Sequence, residues 1–114
     1  MLKVFAAIAA VAVASFNPSA SSAGTMLASW YGPYFHGRTT ANGETYDMYG
    51  LTAAHKSLPF GTELEVCYQG CTTIRINDRG PFVGVRELDL SYGAAKAIGL
   101  LNPGVANVEV NYLN

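Results

Sequence analysis

Hydrophobic and polar positions alternate in short runs along most of this chain, and Gly, Pro, Asn and Asp separate the runs. Residues 63–66 (Glu-Leu-Glu-Val) and 73–76 (Thr-Ile-Arg-Ile) repeat with a period of two, as half-buried strands do. Val108, Val110 and Tyr112 alternate with Glu109 and Asn111, and residues 85–90 place Leu88 and Leu90 on one face. Residues 26–31 are apolar and aromatic and predict a further strand. One helix is expected: Ser91 can cap its start, Ala94, Ala95 and Ala97 favour it, and Gly99 ends it. No long helical period occurs. The pattern predicts a mostly β domain with one short helix. A small closed barrel fits better than a sandwich, because closure removes edges that a chain of about 90 residues could not otherwise cover.

The longest apolar run has a different meaning. Residues 4–14 are apolar without interruption, Lys3 precedes them, and Asn17-Pro18 and the small residues 19–23 follow. That order is a secretory signal peptide over residues 1–23, with cleavage after Ala23 or, alternatively, after Ala20. A membrane helix is the competing reading, but the run falls well short of the ~20 residues a bilayer span needs. No cysteine lies near the cut, so no lipid anchor is expected. The expected product is a periplasmic or secreted monomer of residues 24–114, without a membrane span.

That length suits one domain, and neither an internal repeat nor a linker divides it. The full chain has 7 Lys and Arg against 8 Asp and Glu, and removal of Lys3 makes the remainder slightly more acidic. There is no basic patch to hold nucleic acid and no acidic tail. Charge therefore names no partner.

Cys67 and Cys71 enclose Tyr68-Gln69-Gly70 and sit at the inner ends of two alternating runs. A three-residue loop with a glycine is hairpin chemistry, which would bring the thiols face to face. In an exported chain this predicts a disulfide. Metal binding is the alternative, although neither of the 2 His adds a second close pair. So short a closed loop stabilises weakly, by about 1–3 kcal/mol.

The candidate chemistry lies in Asn77-Asp78-Arg79-Gly80-Pro81-Phe82, directly after the alternating residues 73–76. A turn needs Asn, Asp, Gly and Pro for backbone reasons. It does not need Arg79 or Phe82. A second polar cluster, Thr40-Ala41-Asn42-Gly43-Glu44, lies upstream and is followed by His55.

These segments carry a resemblance. Ala28-Ser29-Trp30-Tyr31-Gly32, Phe35-His36-Gly37-Arg38 and Thr40-Ala41-Asn42-Gly43-Glu44 resemble the entry of the rare lipoprotein A domain. Leu51-Thr52-Ala53-Ala54-His55 with Leu58-Pro59-Phe60-Gly61-Thr62, then the motif of Asp78, then Leu88-Asp89-Leu90-Ser91, continue it in order. The resemblance implies a six-stranded double-psi β-barrel over residues 24–114, a fold that expansins and some glycosidases also use. It implies endolytic lytic transglycosylase activity on peptidoglycan glycan strands, with a preference for strands stripped of peptides. No cofactor and no metal are expected. Members are often lipid-anchored with a C-terminal domain for septal glycan, and neither feature is expected here.

Such a reaction requires an acid that protonates the leaving oxygen after N-acetylmuramic acid. The same group then accepts the proton of the sugar's C6 hydroxyl, which closes a 1,6-anhydro ring. No water attacks, so one carboxyl group can serve both steps, unlike the pair usual in hydrolases. The resemblance assigns the acid/base to Asp78, with Glu44 and His55 as the other polar groups of the site. Glu44 is expected to raise the pKa of Asp78 or polarise the substrate, and His55 to orient a carboxylate or bind sugar. Trp30, Tyr31 and Arg79 are the expected substrate contacts, with Tyr34 and Tyr46 as further aromatic candidates. Asp89 lies in a setting where expansins carry an important Asp; packing inside the barrel, bonded to backbone or to Arg79, is the reading favoured for it. A non-catalytic, expansin-like glycan-binding module is the main alternative function, and a secreted inhibitor a more distant one.

Overall fold

The computed structural model describes the backbone of residues 21–114 and side chains from Gly24 onward. The expected signal peptide, apart from the backbone of its last three residues, lies outside the described residues. Six strands form a closed barrel. They are β1 (Ser21–Tyr31), β2 (Thr52–His55), β3 (Glu63–Cys67), β4 (Cys71–Asp78), β5 (Leu88–Ser91) and β6 (Ala106–Tyr112). Around the barrel the order is β1-β5-β2-β4-β3-β6, and β6 pairs back onto β1. The β1/β5 and β2/β4 pairs are parallel, and the other four are antiparallel. This is the mostly β, six-stranded closed barrel with one helix that the pattern and the resemblance led one to expect.

Alternation fills the barrel. Leu64 and Val66, Ile74 and Ile76, Leu88 and Leu90, Val108 and Val110 are all buried and meet in one core. Two expected strand limits shift. The β1 strand begins earlier than residue 26, because β6 offers partners as far back as Ser21, opposite Tyr112. The β5 strand begins only at Leu88, where Ala28 and His55 supply partners on its two sides. Val85, expected in that strand, lies in the preceding loop and is exposed. The β2 strand carried no alternation signal, since its inner residues, Ala53 and Ala54, are both buried.

The helix α1 (Tyr92–Ile98) starts and stops where expected. The Ser91 hydroxyl accepts from the Ala94 N–H at 3.1 Å, and Gly99 closes the helix at φ 80°. A side chain at Gly99 would also collide with Gln69, whose Oε1 lies 2.6 Å from the position a Cβ would take. Gln69 belongs to the β3–β4 hairpin tip, and its N–H donates to the Ile98 carbonyl at 3.0 Å. Cys67 and Cys71 pair across this tip and are joined in a disulfide, so the sulfurs are not available as metal ligands. The hairpin tip is thus clipped by a covalent bond and seated on the end of α1.

Candidate active site

The strand register decides what reaches the cleft. On β2, Ala54 faces Asp78 of β4 on one side and Asp89 of β5 on the other. Two strand spacings separate those backbones, about 9–10 Å. The β2/β4 register skips one residue between Ala53 and Ala54, so Ile76 pairs with Ala53 and Asp78 with Ala54. Asn77 is the extra residue of this bulge and is 2% exposed. Without the bulge, alternation from buried Ile76 would bring Asn77 to the outer face and turn Asp78 inward. Bulges re-aim side chains in this way beside active sites.

The two carboxyl groups line a cleft of about 250 Å³ together with Tyr31, Phe35, Ala54, Arg79, Gly80, Pro81, Phe82 and Val83. That is slightly below the ~300–1,000 Å³ typical of small-molecule pockets. Asp78 Oδ1 accepts the backbone N–H of Ala41 at 2.9 Å and of Arg79 at 2.9 Å. Its Oδ2 has no protein partner among the described residues. Asp89 accepts the Ser29 hydroxyl at 2.9 Å, Ser29 being its parallel partner on β1. Burial pushes the Asp89 carboxyl pKa up, and the charge of Asp78 adds to this; the Ser29 bond and Arg86 oppose it. The partner of Asp89 is therefore Ser29, not Arg79, and its side chain faces the cleft as well as the barrel wall.

Tyr31 forms the aromatic wall. It stacks on Tyr46 at 4.6 Å between centroids and meets Phe35 edge-on at 5.8 Å. Its buried hydroxyl has no hydrogen-bond partner among the described residues. Burial first, then the charge of Asp78, raises the phenol above the usual tyrosine range. The period of two separates Trp30 from this wall. Trp30 pairs with Leu90 and shares the inward face of Ala28 and Met26, whereas Tyr31 shares the face of Ser29. Its indole N–H donates to the Leu101 carbonyl at 3.3 Å, and its ring meets Tyr92 edge-on. Trp30, expected as a substrate contact, is partly buried, packs against the core and is not part of this cleft lining. Tyr46 is buried beneath Tyr31, and exposed Tyr34 is not part of the cleft lining.

Glu44 and His55 lie behind the lining. The Glu44 carboxylate binds Arg75 through two contacts, 2.6 and 3.0 Å, and accepts from Asn77 Nδ2 at 3.1 Å and Asn42 Nδ2 at 2.9 Å. Hydrogen bonds from Arg75, then from Asn77 and Asn42, hold its pKa down at about 2. This network bolts residues 40–44 to β4, since the Asn42 N–H also donates to the Asn77 carbonyl. The same loop presents the Ala41 N–H to Asp78. Both Glu44 oxygens accept within this brace, and Glu44 is not among the residues that line the cleft.

His55 Nδ1 accepts the N–H groups of Ser57 and Leu58, both at 3.1 Å, which places the imidazole proton on Nε2. Burial lowers its pKa, and the neutral ring suits the turn it holds. The His55 carbonyl accepts from Arg79 Nη1 at 3.3 Å. Of the expected trio, Asp78 alone faces the cleft, and the other two hold the groups around it. Phe35 and Val83 were not expected as lining residues; Phe35 ends a short 3-10 helix (Pro33–Phe35), Val83 lies in a loop, and only the tertiary structure brings both to the cleft.

Residues 23–110 match the family model described as "Lytic transglycolase". Among curated proteins, the chain is 56% identical over 88 residues to the "Probable endolytic peptidoglycan transglycosylase RlpA" of Synechocystis sp., covering 75% of this chain and 27% of that protein. It is 52% identical to the "Endolytic peptidoglycan transglycosylase RlpA" of Pseudomonas aeruginosa, covering 73% and 25%. The protein of the same name from Vibrio cholerae is 51% identical, covering 75% and 34%. The chain thus spans about a quarter to a third of these relatives' length.

Among solved structures, the Streptomyces papain inhibitor has a TM-score of 0.61 at 22% identity, covering 77% of this chain and 90% of that one. An apo expansin of Clavibacter michiganensis has a TM-score of 0.59 at 24% identity, covering 78% and 48%. At such identities the likeness speaks for the fold. A closed barrel of this topology, matched along nearly all its described length by one family, leads to a single assignment: the chain belongs to the lytic transglycolase family, as a double-psi β-barrel domain.

Proposed function

We propose that this domain is an endolytic lytic transglycosylase that cuts peptidoglycan glycan strands at N-acetylmuramic acid and leaves 1,6-anhydro ends. The observation that carries the reading is Asp78. A strand bulge aims it into the cleft, two backbone N–H groups anchor Oδ1, and Oδ2 is free to exchange a proton. The names of the relatives supply the substrate class.

In the reaction, Asp78 gives its proton to the glycosidic oxygen as the bond from C1 to that oxygen breaks. The resulting carboxylate takes the proton of the C6 hydroxyl while its oxygen bonds to C1. The anhydro ring closes and the acid is regenerated. Tyr31 and Phe35 offer apolar faces to the sugar rings. Glu44 and His55 act at one remove: Glu44 fixes the loop that gives Asp78 its Ala41 N–H, and His55 fixes the turn that carries its own carbonyl to Arg79. Asp89 is the one competing proton donor, because its pKa is raised and it lines the same cleft. The domain acts as a secreted or periplasmic monomer.

The test is to incubate residues 24–114 with amidase-treated and with intact sacculi and to assay the products by mass spectrometry. Anhydromuramyl products from the peptide-free glycan are expected. Binding without any such product would hand the domain to the expansin-like reading; a variant of the Clavibacter michiganensis expansin has been solved with cellohexaose. An inactive but folded Asp89→Asn beside an active Asp78→Asn would move the acid to Asp89.

A further inference from the structure

Among the described residues Arg79 is a cation without a carboxylate partner, placed in the cleft beside two carboxyl groups. Its neighbour in sequence is an aspartate, yet the two do not pair, because Asp78 Oδ1 is turned to backbone N–H groups. Among the described residues the ion pair is Arg75 with Glu44. Arg79 is instead held by neutral groups. Its Nη1 donates to the carbonyls of His55 and Asp78, both at 3.3 Å, and its guanidinium carbon lies 3.9 Å from the centroid of the Phe60 ring. These contacts fix the plane of the group and leave its charge uncompensated. Nε and Nη2 have no protein partner among the described residues. A planar guanidinium so held presents parallel N–H donors, the pattern that a carboxylate matches with two bonds.

Resting on the peptidoglycan reading above, we propose that Arg79 is the receptor for the free lactyl carboxylate of N-acetylmuramic acid and so selects glycan that has lost its peptides. The chemistry of the substrate makes the selection sharp. A peptide-free muramic acid carries an anionic carboxylate on its 3-O-lactyl group. Once a peptide is attached, that carboxylate is a neutral amide with one oxygen acceptor. The anion gains two charge-assisted bonds at Arg79 and offsets the repulsion it would meet from Asp78 and Asp89. The amide gains at most one neutral bond and brings the bulk of the peptide against Phe82 and Val83, which line the same cleft. Bonds to a charged group contribute roughly 1.5–3 kcal/mol, about a ten- to hundred-fold preference.

The experiment compares two glycans of one length distribution. One is amidase-treated strands with free lactyl carboxylates; the other is the same strands after carbodiimide coupling of those carboxylates to methylamine. For wild type, kcat/KM for the carboxylate glycan should exceed that for the methylamide by ten- to hundred-fold. In Arg79→Gln the ratio should fall to near one, through KM, and Arg79→Lys should keep part of it. Circular dichroism and urea midpoints check that each variant is folded. A folded Arg79→Gln that retains the wild-type ratio overturns the proposal, as does a wild type that does not discriminate. So does a variant whose pH profile shifts equally on both glycans while the ratio stands, since Arg79 would then act through Asp78. If no glycan yields anhydro product, the transglycosylase reading fails, and the affinity ratio for the two glycans, measured calorimetrically, decides the role of Arg79 by the same criterion.

Discussion

At the scale of single residues, the proposed reaction assigns proton transfer to Asp78 and a bracing role to Glu44. Asp78→Asn keeps the shape and the two backbone bonds to Oδ1 and removes the proton, so activity should fall by at least ~10²-fold. Glycan binding and the urea midpoint should stay near wild type. Glu44→Gln attacks the brace. The Glu44 pKa is lowered from 4.5 to about 2, so its stabilising contribution is present above pH 4.5 and is lost as pH falls toward 2. Its side chain is 39% exposed, and solvent screening limits the loss to about 1 kcal/mol. Urea unfolding should show that loss at pH 6, and the gap between wild type and variant should narrow below pH 4.5 and close only as pH falls below 2. Turnover should fall as well, because the loop that carries Ala41 loosens; a Glu44→Gln enzyme with wild-type kcat would remove the brace from the mechanism. Asp89 has the opposite sign. Its pKa is raised, so its relative contribution is greatest below the unfolded value and is lost as pH rises through the folded one. Asp89→Asn keeps an acceptor for Ser29 and should leave the protein equally or more stable at neutral pH, against the destabilisation a purely structural aspartate would predict.

Between residues and the whole lie the elements, and here two fasteners can be tested apart from the chemistry. The disulfide clips the β3–β4 hairpin, whose tip rests on the end of α1. Replacing both Cys67 and Cys71 by Ser should cost about 1–3 kcal/mol in chemical denaturation. Glycan binding should persist, since neither sulfur lines the cleft. The Ser91 hydroxyl serves three backbone groups: it accepts from Ala94 and Thr52 and donates to the Gly50 carbonyl at 2.6 Å. Ser91→Ala therefore removes a helix cap and strands a carbonyl, and should cost about 2 kcal/mol or more. A loss of only a few tenths would mean that water replaces the hydroxyl. The sequence marked both fasteners for local reasons, a short Cys loop with a glycine and a serine ahead of an alanine-rich stretch. What Ser91 does for Gly50 and Thr52 was not visible, because those residues lie about forty positions away.

For the molecule as a whole, export, cleavage after Ala23 and one disulfide predict an exported protein that begins at Gly24 and carries no free thiol at Cys67 or Cys71, which N-terminal sequencing and thiol titration check. Sedimentation should report a monomer. A retained leader, free thiols or a stable dimer would each contradict that reading. The sequence by itself determined the barrel class, the hairpin, the helix and the motif around Asp78, because each rests on alternation, turn chemistry or residues close together in the chain. It also pointed to Glu44 and His55 as members of one site, though not to their positions behind the lining. Tertiary structure alone decided which face each side chain serves. A one-residue bulge at Asn77 turns Asp78 outward, strand alternation packs Trp30 against the core beside a cleft-facing Tyr31, and Asp89 meets Ser29 because β1 and β5 run parallel. A step of one residue reverses a strand side chain's direction, and no local pattern records where the step falls. It is set by pairing with a strand distant in sequence.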